Sequence, residues 1–202
     1  NTDEDTTAYA YPPNYDDLAG DAFFGGSGRD PVTGNYDYQT ILHELGHTLG
    51  LKHGHENVDH GAVPGRLDSL EFSVMTYRSY VHGPTDGYTN EQFGYPQTYM
   101  MLDIAALQYL YGADFSTNSD ATVYRWSPSS GQMTVNGADA LTPGGNRVFS
   151  TIWDGGGVDT YDLSAYGTDM SISLAPGGRS TFSATQLAYL GGGPNDGYAR
   201  GN

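Results

Sequence analysis

HELGHTLGLKHGH, residues 43–55, contains four of the six histidines of this 202-residue chain. His43 and His47 are four residues apart, so on a helix both imidazoles leave the same face. With Glu44 directly after the first histidine they form HExxH, in which two zinc ligands flank a general base. Gly50 can take the left-handed conformation that reverses the chain, which lets His53 return to the ion as a third ligand. The stretch therefore predicts a zinc site of His43, His47 and His53.

The other histidines lack this spacing and are predicted not to bind the metal. His55 lies two residues beyond a ligand, and we expect it to face solvent or to support a ligand. His60 and His82 belong to no comparable pattern.

Composition narrows the possible partners. A net charge of −16 argues against nucleic acid, whose phosphates would be repelled, and it favours the gathering of cations. No apolar run is long enough for a membrane span, and the first residues do not resemble a signal peptide. The absence of cysteine is compatible with any compartment.

The first part of the chain predicts two helices and two short strands. Apolar residues recur at helical spacing over residues 37–49 (Ile41, Leu42, Leu45 and Leu49) and again over residues 102–112, and each pattern ends at a glycine. TTAYAY (6–11) and DAFF (21–24) are the strand candidates, separated by turn residues that include Asp16.

From about residue 113 the pattern becomes β. Short β-rich runs alternate with turn residues roughly every ten residues: TVYRW (122–126), QMTV (132–135), RVFSTIW (147–153), DTYDL (159–163) and MSISL (170–174). This predicts an α+β protein with one domain over residues 1–112 and a β-rich domain over residues 113–202.

SVMTY, residues 73–77, resembles the turn of the metzincins, zinc endopeptidases in which a methionine lies beneath the metal. Met75 would occupy that place. Tyr77 matches the tyrosine that astacins and serralysins use as a further zinc ligand. Gly54 departs from both families, since astacins have Glu and serralysins usually Pro after the third histidine.

The second half resembles the serralysins in particular. FSTIWDGGGVDTYDLSAY (149–166) and GGGPND (191–196) are similar to the segment that leads into their calcium repeats, and YMMLDIAALQYLYG (99–112) to their connecting helix. The resemblance covers nearly the whole chain. It implies the C-terminal part of a metzincin protease domain followed by an all-β serralysin segment, and a secreted, extracellular zinc metalloendopeptidase acting on polypeptides.

The resemblance also implies roles for single residues. Glu44 would take a proton from a zinc-activated water and pass it to the leaving amine. Tyr77 would leave the zinc as substrate binds and stabilise the oxyanion. TTAYAY would pair with an extended substrate backbone.

A calcium site is expected in the β-rich part. DGGGVD offers Asp154 and Asp159 around glycines whose carbonyls can turn inward, although the same run is compatible with a glycine-rich turn bearing solvated aspartates. The resemblance to serralysins adds further contributors to this calcium site: Asn118, Asp120, Thr122, Gly156 and Gly157. A neighbouring family site would use Thr185 and an acidic residue where this chain has Leu187. GGxGxD appears once, with Pro194 in place of a glycine, and a single imperfect repeat cannot build a stacked β-roll.

Only 42 residues precede His43, fewer than a metzincin N-terminal subdomain requires. The sequence therefore predicts that an N-terminal piece is absent, was removed, or is supplied by a second chain. Two other functions stay open. The chain could be a catalytically silent fragment that holds zinc, or a calcium-dependent interaction or structural module with a relic zinc site.

Overall fold

A computed structural model describes residues 7–14, 17–25, 30–58 and 60–202 of the chain. Within them the fold is α+β, with few helices and two small sheets. Three single 3₁₀ turns interrupt long irregular stretches, at Gly65–Leu67, Ala184–Gln186 and Asn195–Gly197. The regular elements are β1 (Ala8–Ala10), β2 (Ala22–Phe24), α1 (Tyr36–Thr48), α2 (Met101–Tyr111), β3 (Val123–Trp126), β4 (Met133–Val135), β5 (Ala138–Leu141) and β6 (Thr160–Asp162).

Helix α1 confirms the prediction for residues 37–49, with its start and end one residue earlier. It begins where the Asn35 side chain accepts a hydrogen bond from the Tyr38 N–H at 2.8 Å. It ends at Thr48, and Gly50 just beyond it has a left-handed φ of +88°, as expected. The Leu51 N–H then reaches back to the Gly46 carbonyl at 2.9 Å, which completes a Schellman-type stop.

The most buried side chains of α1 are polar. His43 and Glu44 are each 7% exposed, whereas Leu45 and Leu49 are 43% and 38% exposed. Leu42 packs against the core, so the predicted apolar face is buried only in part.

The two strand segments predicted near the start of the chain pair with each other. β1 and β2 form an antiparallel pair in which Tyr9 lies opposite Phe23. Thr6 and Asp16, which belong to the same predictions, lie outside the described residues. Helix α2 begins one residue before its predicted start and ends beside Gly112, at φ +85°.

A four-stranded sheet, ordered β5-β4-β3-β6, forms the β-rich part. Its β3–β4 and β4–β5 pairs are antiparallel, and β6 joins β3 in parallel with Tyr124 beside Tyr161. This confirms strands in 122–126, 132–135 and 159–163, while β5 was not predicted.

Two strand predictions were wrong. Residues 147–153 form no ladder, because their backbone groups pair with irregular segments: the Val148 N–H with the Gln186 carbonyl, and the Phe149 carbonyl with the Gln97 N–H. Residues 170–174 contribute only one isolated bridge, between Ser171 and Thr181.

The described residues bury two hydrophobic clusters. One, centred on Tyr124 and Trp126, lies under the sheet. The other combines Leu70, Val74 and Met75 with residues far along the chain, including Phe149, Ala188, Leu190 and Ala199. The domain boundary at residue 112 stays a prediction. Within the described parts of the chain, neither α-helix has the length and apolar character needed to cross a bilayer.

Candidate metal centre

Three imidazoles converge at the end of α1. One ring nitrogen from each of His43, His47 and His53 lies within 4.8 Å of the others. Two of these side chains project from one face of the helix, and the third returns through the turn at Gly50. Among the described residues no other group of three histidines or carboxylates has such metal-binding geometry.

Each imidazole is held by its other nitrogen. Nδ1 of His43 lies 2.8 Å from the Val74 carbonyl, and Nδ1 of His47 lies 2.8 Å from the Leu51 carbonyl. Nδ1 of His53 lies 3.0 Å from a carboxylate oxygen of Glu56. Since these oxygens only accept, each Nδ1 carries a proton, and the Nε2 atom of each neutral imidazole can bind a cation through its lone pair.

This donor set fits zinc. The Nε2 atoms of His47 and His53 are 3.0 Å apart, and two unprotonated nitrogens at that distance repel each other unless a cation draws both lone pairs. Ligand nitrogens of a tetrahedral zinc ion, each at ~2.0–2.1 Å from the metal, stand ~3.3 Å apart. Burial lowers the pKa of His43 to about 3 and also lowers that of His47, so both are neutral ligands at pH 7. The ligand assignment stays a prediction, which this geometry supports.

Glu44 lies beside the cluster on the wall of a cleft of about 570 Å³. Its Oε2 is buried and has no hydrogen-bond partner among the described residues. Burial raises the pKa of this carboxyl to about 7. A carboxyl with that pKa can both take and return a proton near neutral pH.

The Tyr77 hydroxyl reaches the same point. It lies 2.8 Å from Nε2 of His53, and its ring faces that of His43 at a centroid distance of 5.8 Å. The side chain is 37% exposed and lines the cleft together with Glu44. Burial, reinforced by Glu44 and Glu56, raises the pKa of the phenol, which therefore keeps its proton.

Met75 lies directly beneath the helix. Its side chain is 2% exposed and occupies the space beside Gly46, where a β-carbon would overlap the methionine sulfur. The preceding residue, Val74, provides the carbonyl that orients His43. Its own N–H donates at 2.8 Å to Asp103, a buried carboxylate on α2.

The remaining histidines stand apart from the cluster. His55 is exposed and stacks on the outer side of His53, with ring centroids 5.4 Å apart. His60 approaches Tyr109 at 6.1 Å between ring centroids, and His82 lies next to Gly65.

The structure also brings together most of the predicted calcium ligands. The Thr122 hydroxyl lies 3.2 Å from the Asn118 carbonyl and 3.0 Å from the Asp120 carbonyl. The Thr122 N–H donates to Asp159 Oδ1 at 3.0 Å. Gly157, at φ +111°, lies so close to the Asp120 carbonyl that a β-carbon would overlap it. Clustered carbonyl, hydroxyl and carboxylate oxygens suit a hard cation such as calcium.

Asp154 joins this loop through other partners. Its Oδ2 accepts a 2.6 Å hydrogen bond from the Tyr124 hydroxyl, and its Oδ1 accepts one from the Gly156 N–H at 2.9 Å. At the doubtful neighbouring site, Leu187 is a buried apolar side chain and offers no side-chain oxygen.

Sequence reasoning missed the residues that orient the ligands. Glu56 and Asp103 lie outside the HExxHxxGxxH pattern, and no spacing rule connects them to it. The only available signal was chemical, since a carboxylate three residues beyond a histidine ligand can reach its ring.

Comparison with known proteins finds similarity in both parts of the chain. Residues 113–185 match the family described as Peptidase M10 serralysin C terminal, and residues 5–80 match the family described as Peptidase M66. The chain is 36% identical over 186 residues to Serralysin G of Dickeya chrysanthemi, covering 88% of this chain and 37% of that protein. It is 34% identical over 194 residues to Serralysin of Proteus mirabilis, covering 89% of this chain and 38% of that protein. It is 36% identical over 156 residues to Metalloprotease AprA of Pseudomonas entomophila, covering 71% of this chain and 30% of that protein. The chain thus spans less than two fifths of the length of these relatives.

Proposed function

We propose that this chain, which is similar to serralysins over most of its length, holds in its histidine cluster the zinc site of an endopeptidase that cleaves extracellular polypeptides. The observation that carries the proposal is the convergence of three Nε2 lone pairs beside a buried, unpaired carboxylate on a cleft wall. We further propose that residues 1–112 are the metzincin part and that the protein acts outside the cell, as its relatives' family suggests.

His43, His47 and His53 would hold the metal, and Tyr77 would be its additional ligand. A zinc ion bound there supplies Lewis-acid activation of water and of the scissile carbonyl. The three Nδ1 hydrogen bonds keep the imidazoles in the tautomer and orientation that binding requires.

Glu44 moves the proton. As a buried carboxylate beside the histidine cluster, it would accept a proton from the attacking water and return it to the leaving amine nitrogen. The unpaired Oε2 is the atom assigned to this transfer.

Tyr77 stabilises the developing charge. Its neutral phenol lies beside the His53 nitrogen, and it can move from there to donate a hydrogen bond to the carbonyl oxygen of the substrate. Such an interaction is made mainly in the transition state, so it acts on kcat.

The cleft has features suited to an extended peptide. Thr7 and Ala8, where β1 begins, line it together with the tyrosines at positions 36, 88 and 95. We propose that a substrate strand pairs beside β1 and places one side chain among these rings.

The test compares the zinc-loaded chain with Glu44→Gln on casein. The parent should release peptides, and the variant should retain zinc but lose activity, because glutamine cannot accept the proton. Asp169→Asn, which also removes one negative charge but at an exposed site in the β-rich part, is the matched control and should keep activity. Equal hydrolysis by the parent and Glu44→Gln would refute the assignment. Zinc binding without hydrolysis by the parent would favour the silent or calcium-dependent alternatives.

A further inference from the structure

His53 differs from the other two candidate ligands in how it is supported. His43 and His47 are fixed by α1, and their Nδ1 atoms donate to backbone carbonyls. His53 lies in the irregular segment after Gly50, and its Nδ1 partner is a side chain. Its position therefore depends on whatever fixes that side chain.

The side chain is Glu56, and both of its oxygens bind the same residue. Oε1 accepts from Nδ1 of His53 at 3.0 Å, and Oε2 accepts from the His53 backbone N–H at 3.1 Å. One carboxylate thus sets the ring orientation, the tautomer and the local backbone together. It also places a negative charge against the ligand, which makes the imidazole a stronger donor to a cation.

Lys52 in turn holds the loop that carries Glu56. Its ammonium donates to the Glu56 carbonyl at 2.6 Å and to the Gly61 carbonyl at 2.9 Å. The two carbonyls lie five residues apart, so one ammonium draws the two sides of the loop together. The Glu56 N–H closes the remaining turn on the His53 carbonyl at 3.2 Å.

We propose that Glu56 is the positioning residue of the third zinc ligand and that Lys52 is the brace that keeps Glu56 in place. The inference rests on the proposed zinc site. It assigns the support of His53 to Glu56, which follows the histidine motif, and to Lys52, which occupies one of the motif's unspecified positions. Partners of this kind typically change metal affinity ~10–100-fold.

The experiment measures zinc affinity of the full chain by competition with a chromophoric chelator, with no substrate present. Glu56→Gln should bind zinc ~10–100-fold more weakly than the parent. Lys52→Met keeps the Glu56 carboxylate, and it should also weaken zinc binding, but by a smaller factor. Asp169→Asn, the control for loss of one negative charge, should match the parent. In the zinc-free protein, ¹⁵N NMR should show the His53 proton on Nδ1 in the parent and distributed over both nitrogens in Glu56→Gln.

Unchanged zinc affinity in both Glu56→Gln and Lys52→Met overturns the proposal, as does an unchanged His53 tautomer in Glu56→Gln. If Glu56→Gln does not fold, Lys52→Met decides the matter alone. The outcome is separable from that of the proposed function. Absence of hydrolysis in the parent would refute the peptidase and leave these affinity differences standing, whereas zinc binding that survives His53→Ala would refute the zinc site itself.

Discussion

Asp103 connects the second helix to the metal centre, and replacing it tests whether its buried carboxylate supports the segment that orients His43. The carboxylate is 2% exposed and accepts hydrogen bonds from the Ser73 hydroxyl at 2.6 Å, the Val74 N–H at 2.8 Å and the Met100 N–H at 2.9 Å. The Val74 carbonyl then orients His43. We expect Asp103→Asn to preserve this network while removing its charge.

The magnitude follows from the pKa. Burial outweighs the three hydrogen bonds and raises the pKa of Asp103 from 3.8 to about 6, which corresponds to ~3 kcal/mol. Because the folded-state pKa is the higher one, the folded protein binds the proton more tightly, and stability is lost as pH rises through about 6. About half of the loss, ~1.4 kcal/mol, falls between about pH 5 and pH 7.5. This range lies above the pI of about 4.3, so the protein carries a net negative charge throughout the titration.

Urea unfolding of the zinc-free parent and variant checks this expectation. From about pH 5 to pH 7.5 the parent should lose ~1.4 kcal/mol of unfolding free energy relative to Asp103→Asn, since other titrating groups are common to both. Asp169→Asn, an exposed carboxylate, should give no such divergence. Parallel pH profiles for the parent and Asp103→Asn would refute the reasoning.

Asp103→Ala isolates the role of the acceptor. It leaves the Val74 and Met100 N–H groups buried without a partner, at a cost of ~1–3 kcal/mol each. The alanine variant should therefore be less stable than the asparagine variant by ~2–6 kcal/mol at every pH. Equal stability of the two variants would mean that water or a shifted backbone satisfies these donors.

Three further predictions address the ligands themselves. His53→Ala should lose zinc on dialysis while His55→Ala retains it, and equal loss, measured by metal analysis, would contradict the ligand assignment. Tyr77→Phe should lower kcat with little change in zinc content, because the phenol acts mainly in the transition state; an unchanged kcat in an active preparation would remove that role. Calcium at a hundredfold excess over Kd should stabilise the parent by ~2.7 kcal/mol, seen as a higher Tm, and Asp159→Ala should abolish most of this effect. Equal protection by magnesium, or undiminished calcium sensitivity in Asp159→Ala, would show that there is no specific calcium site.

The parts that sequence predicted well are those fixed by local spacing. His43 and His47 are neighbours on any helix that contains them, and Gly50 is the residue best suited to the left-handed turn that follows. These local rules bring His53 back toward the helix, whereas the orientation of its ring depends on Glu56. Tyr77 and Met75 required more, because their approach to α1 depends on a long irregular segment, and the family resemblance provided that information.

The parts that sequence could not give depend on distant contacts. Residues 147–153 are rich in side chains that favour strands, yet their backbone hydrogen bonds go to non-strand segments before and after them, so propensity was overridden by tertiary pairing. Strand β5, with the sequence ADAL, has weak strand propensity and exists because it pairs with β4. Asp103 is linked to the metal centre only through the packed fold.

The metal centre and the C-terminal stretch of the chain belong to one structural network. Val74, whose carbonyl orients His43, is fully buried in a cluster that includes Ala188, Leu190 and Ala199. In addition, the buried carboxylate of Glu71 pairs with Arg200 at 2.8 Å, across 129 residues of sequence. Replacing Arg200 would leave the buried Glu71 carboxylate without its cation, so the docking of the C-terminal residues contributes to the stability of the segment that leads into the turn beneath the histidines. The imidazoles are thus positioned by the helix that bears them, by the loop that returns His53, and by chain segments more than a hundred residues away.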